Sequence, residues 1–190
     1  MNIFFLHILP EICAQMHIDK HVIKMILETT QLLCSAHHMF NTGADTDYIP
    51  CYKLTHKNHP SSIWTRESKA NYKWLCSLGQ ELCKEYTYRY GKIHKCQSYI
   101  EDLSLHVPDL PDLEFTPPKQ AMPAMYKDND AIEAYRTYYF FGKMNIHSWN
   151  GKIAGRPTPD WVLEMHQLFS EPTIIDSVPI SNTSLSLQTI

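Results

Sequence analysis

Six polar residues, His17, His21, Lys24, Glu28, Gln31 and Ser35, recur at spacings of three and four along a stretch that is otherwise apolar. In a helix those spacings put all six side chains on one face. Val22, Ile23, Met25, Ile26, Leu27, Leu32 and Leu33 take up most of the remaining circumference and predict a helix drawn into a core. A polar helix face often does no more than meet water, but here the apolar arc is wide and the polar row narrow, as in the wall of a cleft. An imidazole, an amine, a carboxylate and an amide in one row are the groups of proton transfer, or of a nucleophilic amine with an acid beside it.

The elements that must position this row follow from composition and punctuation. The chain has 190 residues, 44% of them hydrophobic and 12% aromatic, with only six glycines, enough apolar matter for one core and little for an all-β fold. The period of the apolar positions predicts an all-α, mainly helical fold: a compact single domain over residues 1–170 with about three long helices, followed by a flexible polar tail over 171–190. Asp19 is a suitable N-cap for the first long helix, which runs to about Ala36 before Asn41-Thr42-Gly43. Met1 to Leu6 reads as a short extended segment tucked against the core. A second helix is expected from Ile63 to about Tyr90, with Ser61 or Ser62 as cap and Gly91 closing it. Glu67 and Glu85 fall on its apolar side and require partners. A third helix is expected from about Asp130 to Lys143. Between the last two, Pro108, Pro111, Pro117, Pro118 and Pro123 impose a long extended connection.

The six cysteines, at 13, 34, 51, 76, 83 and 96, form no C-x-x-C pair and read as reduced core thiols of a cytoplasmic protein. No apolar run is long enough to span a membrane, so none is expected as a partner, and a monomer is expected. His17 and His21 have the spacing of two helical metal ligands, and His37, His38, His56 and His59 are further candidates for a metal-dependent nucleotide or nucleic-acid hydrolase. No acidic residue completes a recognised motif, however, and no metal or other cofactor is expected.

The net charge of −3 conceals a strong asymmetry. Between Tyr52 and Lys95 nine Lys or Arg face three Glu, a balance of +6, while the remainder carries −9. Aromatic residues are interleaved with these cations. Lys53, His56, Lys57, His59, Trp64, Arg66, Arg89, Tyr90, Lys92 and Lys95 form one such set, and Arg136, Lys143 and Arg156 form another beyond the proline-rich stretch. Cations neutralise phosphates and rings stack on bases, so both sets are candidate nucleic-acid contacts. A solvated basic face without a ligand is the plainer alternative for each lysine alone.

The opening MNIFFLH, the helix HVIKMILETTQLL with its internal Glu, the NHPSSIW stretch leading to NYKWLCSLGQELCKEYTYRYGK, and the later YRTYYFFGK and RPTPDW together resemble the pyrimidine-dimer DNA glycosylases of the phage endonuclease V type. The THKNHP pattern is similar to that of phage proteins without an assigned activity, a closer resemblance. The glycosylase resemblance implies an all-α enzyme that binds double-stranded DNA, extrudes a nucleotide and attacks its C1′ with an amine, then cleaves the strand as an abasic-site lyase. The family uses the chain's own α-amino group, and α-amines as a class titrate near about 8, so a useful fraction is neutral at pH 7. By position Glu28 matches the family's helix carboxylate, with His21 earlier on the same face. The chain departs from the family at Asn2, too large for efficient removal of Met1, so the attacking amine is expected to be that of Met1, or Lys24 on the same stripe as Glu28. A non-catalytic nucleic-acid-binding protein would use the same cations and leave Glu28 without a task.

Overall fold

The computed structural model describes residues 1–40 and 50–170. The Asn41-Thr42-Gly43 stretch expected to end the first long helix, and the tail expected over 171–190, lie outside the described residues. Among those described there is no β-strand, and the all-α expectation holds. The expectation of about three long helices is replaced by seven helices, of which two are long: α1 (Pro10–Met16), α2 (Asp19–Phe40), α3 (Pro60–Thr65), α4 (Lys69–Tyr90), α5 (Gln97–Leu105), α6 (Ala131–Lys143) and α7 (Asp160–Ser170). None is long and apolar enough to cross a membrane.

The two 22-residue helices α2 and α4 pack on each other, and α5 covers their contact. Gly79 permits the close approach: a Cβ there would lie 2.9 Å from Thr29 Cγ2 of α2 and 3.0 Å from Ile100 Cδ1 of α5. Ile26, Leu33, Tyr72, Leu75, Leu82 and Ile100 are among the fully buried side chains of one continuous core. Ile23 and Leu27, expected in that core, are instead 41% and 37% exposed, because α2 is covered on only part of its apolar arc.

The expected helix from Ile63 to Tyr90 is broken in two. Ser68 takes an extended conformation and caps α4 by accepting the Asn71 N–H at 3.0 Å, while His59, with Pro60 behind it, caps α3 in place of Ser61 or Ser62. The break serves the proline-rich connection. The Asn71 side-chain amide donates to Trp64 O and Thr116 Oγ1, both at 3.1 Å, and its Oδ1 accepts the Thr116 N–H at 2.9 Å. Trp64 Nε1 donates to Thr116 O at 2.8 Å, and Lys69 N–H to Pro111 O at 2.8 Å. A chain rich in proline has few backbone partners of its own, so these side chains and the free N–H at a helix start supply more.

One polar cluster at the other end of α4 ties four segments together. Arg89 is fully buried and donates to Glu85 Oε1 (2.6 Å), His17 O (2.8 Å), Asp19 Oδ1 (2.9 Å) and Gln15 O (2.9 Å). The last carbonyls of α1 are thereby capped by a cation, with Trp149 Nε1 donating to Met16 O at 2.9 Å. Asp19 also accepts from Ser148 Oγ at 2.6 Å and from Gly151 N–H at 3.1 Å, so it joins segments more than it caps α2. Glu85, 3% exposed, finds its second partner in Arg156 at 3.0 Å. Glu67 lies 3.4 Å from Lys119. Both carboxylates have the partners that their place on the helix demanded.

Candidate active site at the amino terminus

The first residues form neither helix nor strand and run into the core, with Ile3, Phe4, Phe5 and Leu6 all 5% exposed or less. Burial of these side chains fixes the backbone, and Asn2 locks its start. Its side-chain amide donates to Ala121 O at 3.1 Å, and its Oδ1 lies 3.0 Å from the Tyr135 hydroxyl, which itself donates to Lys119 O at 2.6 Å. The Asn2 N–H then points to α2 and donates to Glu28 Oε2 at 2.9 Å, and the Met1 amino nitrogen lies 3.9 Å from the same oxygen. Lys24, one turn before Glu28, places Nζ 3.2 Å from Oε1. The Glu28 carboxylate, with 11% of its side chain exposed, is thus held between two amines and a backbone donor, while Lys24 is 64% exposed.

The loop before α3 borders this group. His59 accepts the Ser61 N–H at its Nδ1 (3.2 Å). Its pKa is lowered, first by burial and then by the positive charges of the Met1 amine and His56, with Glu28 acting in the opposite sense. His59 is therefore a neutral ring at pH 7, within electrostatic reach of both the amine and the carboxylate. His56, Lys57 and Lys53 are exposed on the same loop. His56 has φ 47°, a left-handed conformation at a non-glycine residue that bends the loop back towards α3.

His21 does not join this group. It lies seven residues, about two turns, before Glu28, stacks on Phe4 at a centroid distance of 4.4 Å and accepts at Nδ1 from the Tyr139 hydroxyl at 2.9 Å, which in turn accepts the Ile18 N–H. Burial, together with the charges of neighbouring cations and histidines, pushes its pKa down to about 3, so it is a neutral core ring joining α2 to α6. His17 is fully buried and is likewise held down to about 4, chiefly by burial; its Nδ1 donates to Cys13 O at 2.7 Å. Ser35 is fully buried and donates to Thr55 O at 3.0 Å, tying the loop to α2. The row therefore divides into buried struts at both ends and a polar centre at Lys24 and Glu28.

The candidate nucleic-acid contacts divide as well. Trp64 and Arg89 are fully buried and cannot touch a ligand in this fold: the ring spans the core beneath the proline-rich segment, and the guanidinium has spent its donors inside. Tyr90 donates to Asp19 O at 3.2 Å and packs on Tyr86. Arg156 pairs with Glu85 and lies over the Tyr88 ring at 4.2 Å. Arg136 donates to Leu6 O at 3.1 Å and covers Trp161, and Lys143 sits over the Tyr138 ring at 4.9 Å. Arg66 donates to Ser62 Oγ at 3.2 Å. Lys92 and Lys95 are exposed and stand on the loop after α4, where together with Lys24 they line a groove.

Tyr135, Asn2 and Ala121, which set the direction of the amino terminus, carry no sequence signal that would have marked them. Asn2 is marked in the sequence only by its effect on Met1 removal, not by this anchoring role. Five of the cysteines are buried, whereas Cys51 is exposed with its Sγ 3.5 Å from Cys34 Sγ. Among the described residues no three His, Cys, Asp or Glu side chains gather closely enough to hold a metal ion. No family model, curated protein or solved structure matches this chain.

Proposed function

We propose that the protein is a DNA glycosylase and abasic-site lyase in which an amine beside Glu28 attacks C1′ of a damaged or modified nucleotide. The observation that carries this reading is the placement of the Met1 amino nitrogen 3.9 Å from the Glu28 carboxylate, at the end of a segment whose direction is set by Asn2. The neutral amine forms the C1′–N bond as the base leaves, and opening of the sugar gives an imine. Elimination then breaks the bond to the 3′ phosphate. Glu28 has two tasks in such a sequence: it takes the proton that the amine must shed, and it stabilises the cation that develops at C1′. Lys24, also beside Glu28, is the second candidate amine. The partner in this reading is duplex DNA, bound by a monomer in the cytoplasm, with the exposed Lys53, His56 and Lys57 loop contacting phosphates next to the amine.

Borohydride reduction in the presence of an abasic-site duplex tests the reading. A covalent protein–DNA adduct is expected, with the modified residue identified by peptide mass spectrometry as Met1 or Lys24. Glu28→Gln should abolish trapping while changing duplex affinity less than about threefold, because one buried carboxylate near a cationic surface contributes little to phosphate binding. Binding without any adduct in the unaltered protein would remove the lyase reading and leave a DNA-binding protein.

A further inference from the structure

Beside the Glu28 group, on the far side of Lys24, α2 and the loop after α4 enclose a groove of about 530 Å³. That volume is within the ordinary range for small-molecule sites. Its walls are Ile23 and Leu27 of α2, Ile93 of the loop, and the rings of Tyr52 and Tyr86. Ile93 is 75% exposed, so apolar surface is left open at the mouth.

The charged groups at this groove are all of one sign. Lys24, Lys92 and Lys95 line it, and no carboxylate does. Among the described residues Lys92 and Lys95 have no ion-pair partner, whereas Lys24 is held by Glu28 at 3.2 Å. His94 accepts the Cys96 N–H at its Nδ1 (3.1 Å), so in the neutral ring the proton is on Nε2, which adds a donor to the wall. A site lined by two tyrosines and three ammonium groups is complementary to an anion with a planar aromatic body. A purely aliphatic anion would leave the tyrosine faces unused, and a bare inorganic anion would leave the apolar walls wet.

We propose that this groove is a binding site for a small aromatic phosphate, of the chemical class of a nucleoside 5′-monophosphate, with the ring on the tyrosine and aliphatic wall and the phosphate on Lys92 and Lys95. The site is distinct from the amine and carboxylate pair and does not depend on attack at a sugar. It is nevertheless joined to that pair through Lys24, since an anion in the groove competes with Glu28 for the same ammonium group. Occupancy and the Glu28 pairing therefore oppose each other, and by linkage the effect is reciprocal.

Isothermal titration of the full chain with adenosine 5′-monophosphate and uridine 5′-monophosphate tests this, with inorganic phosphate, adenosine and octanoate as comparison probes. One site per chain is expected for the nucleotides, with binding at least about tenfold weaker for phosphate alone and for uncharged adenosine. Lys92→Ala combined with Lys95→Ala should weaken nucleotide binding about tenfold, two partly exposed charge contacts being lost. Both lysines are exposed, so folding is untouched, and thermal unfolding of the variant verifies this. Glu28→Gln should strengthen binding roughly two- to fivefold by freeing Lys24, in the opposite direction to any loss of lyase activity. Equal affinity for phosphate and nucleotide, preference for octanoate, or nucleotide binding indifferent to Lys92 and Lys95 would each overturn the proposal. Loss of borohydride trapping with nucleotide binding intact would refute the enzyme reading alone.

Discussion

Replacement of Arg89 by methionine separates a structural cation from a DNA-binding one. The guanidinium is fully buried and makes four hydrogen bonds, to Gln15 O, His17 O, Asp19 and Glu85. Methionine fills much of the stem volume but donates nothing. Two carbonyls at the end of α1 are then orphaned, at about 1–2 kcal/mol each. The carboxylates fare better, since Glu85 keeps Arg156 and Asp19 keeps Ser148 and Gly151. The electrostatic part thus falls near the low end of the about 3–5 kcal/mol seen when a buried pair loses one partner, and some of it overlaps with the lost hydrogen bonds. A net loss of about 4 kcal/mol is expected, against a total stability on the order of 5–15 kcal/mol. For a chain of this length that lowers Tm by about 10 °C. Urea unfolding followed by far-ultraviolet circular dichroism at pH 7 gives the free energy, and scanning calorimetry the Tm. Lysine at the same position should recover little, because an ammonium has no fork to reach two carbonyls and two carboxylates at once. Duplex affinity, measured at a temperature where the variant is folded, should keep its dependence on salt. A stability loss below about 1 kcal/mol, or a salt slope shallower by about one, would refute the buried keystone role.

Other consequences are open to direct measurement. The double change Lys53→Ala and Lys57→Ala should weaken duplex binding evenly across sequences and reduce the slope of log affinity against log salt by about two; an unchanged slope would take this loop away from the phosphates. His17 and His21 have pKa values held near 4 and 3 in the fold, below the usual 6.5, so both are neutral in the native state and protonate first in the unfolded chain. Stability should thus be undiminished above about pH 6.5 and fall as pH drops towards 4, by up to about 1.4 kcal/mol per pH unit for each ring. His21→Phe, which keeps the stacking on Phe4, should remove about half of that slope in acid-unfolding curves, and an unaltered slope would exclude His21 as its source. Gly79→Ala would drive a methyl group to within 2.9 Å of Thr29 Cγ2 and 3.0 Å of Ile100 Cδ1, so a loss of about 1–2 kcal/mol is expected despite alanine's better helix propensity. A gain in Tm would show that the α2, α4 and α5 contact yields easily.

What the sequence made legible was the periodic part. The start of α2 at Asp19, the end of α4 at Gly91 with φ 64°, and the whole of α6 behind its Asp130 cap agree closely with what punctuation and period foretell. The short helices α1, α5 and α7 carry seven, nine and eleven residues, too few turns for a period to stand out, and none was expected. The division between α3 and α4 depends on Asn71 meeting Thr116, a contact across 45 residues that no local pattern encodes. Of the polar stripe, the shared face of Lys24 and Glu28 followed from spacing alone. The burial of His21, and the inward turn of Arg89 towards α1, follow instead from where Tyr139 and the Gln15 carbonyl come to lie. A cation count cannot tell a guanidinium that faces water from one that caps a helix.

The frame around the amino terminus also has a bearing on when the site comes into being. Asn2 takes its partners from Ala121 and Tyr135, Leu6 O from Arg136, and Ile18 and His21 from Tyr139, across sequence separations of 118 to 133 residues. During synthesis at about 5–20 residues per second, Glu28 precedes Tyr139 by roughly 5–20 s, so the amine and its carboxylate are made early and wait for the chain that aligns them. Helices α1 and α2 carry local contacts and form quickly, while their orientation relative to residues 1–6 is completed only with α6 in place. A ribosome-bound chain halted before residue 119 would therefore hold every group of the Glu28 site, with Lys24 and Glu28 in register on α2 but Asn2 without its partners. The arrangement around Glu28 is in this sense set by residues more than a hundred positions away from Asn2.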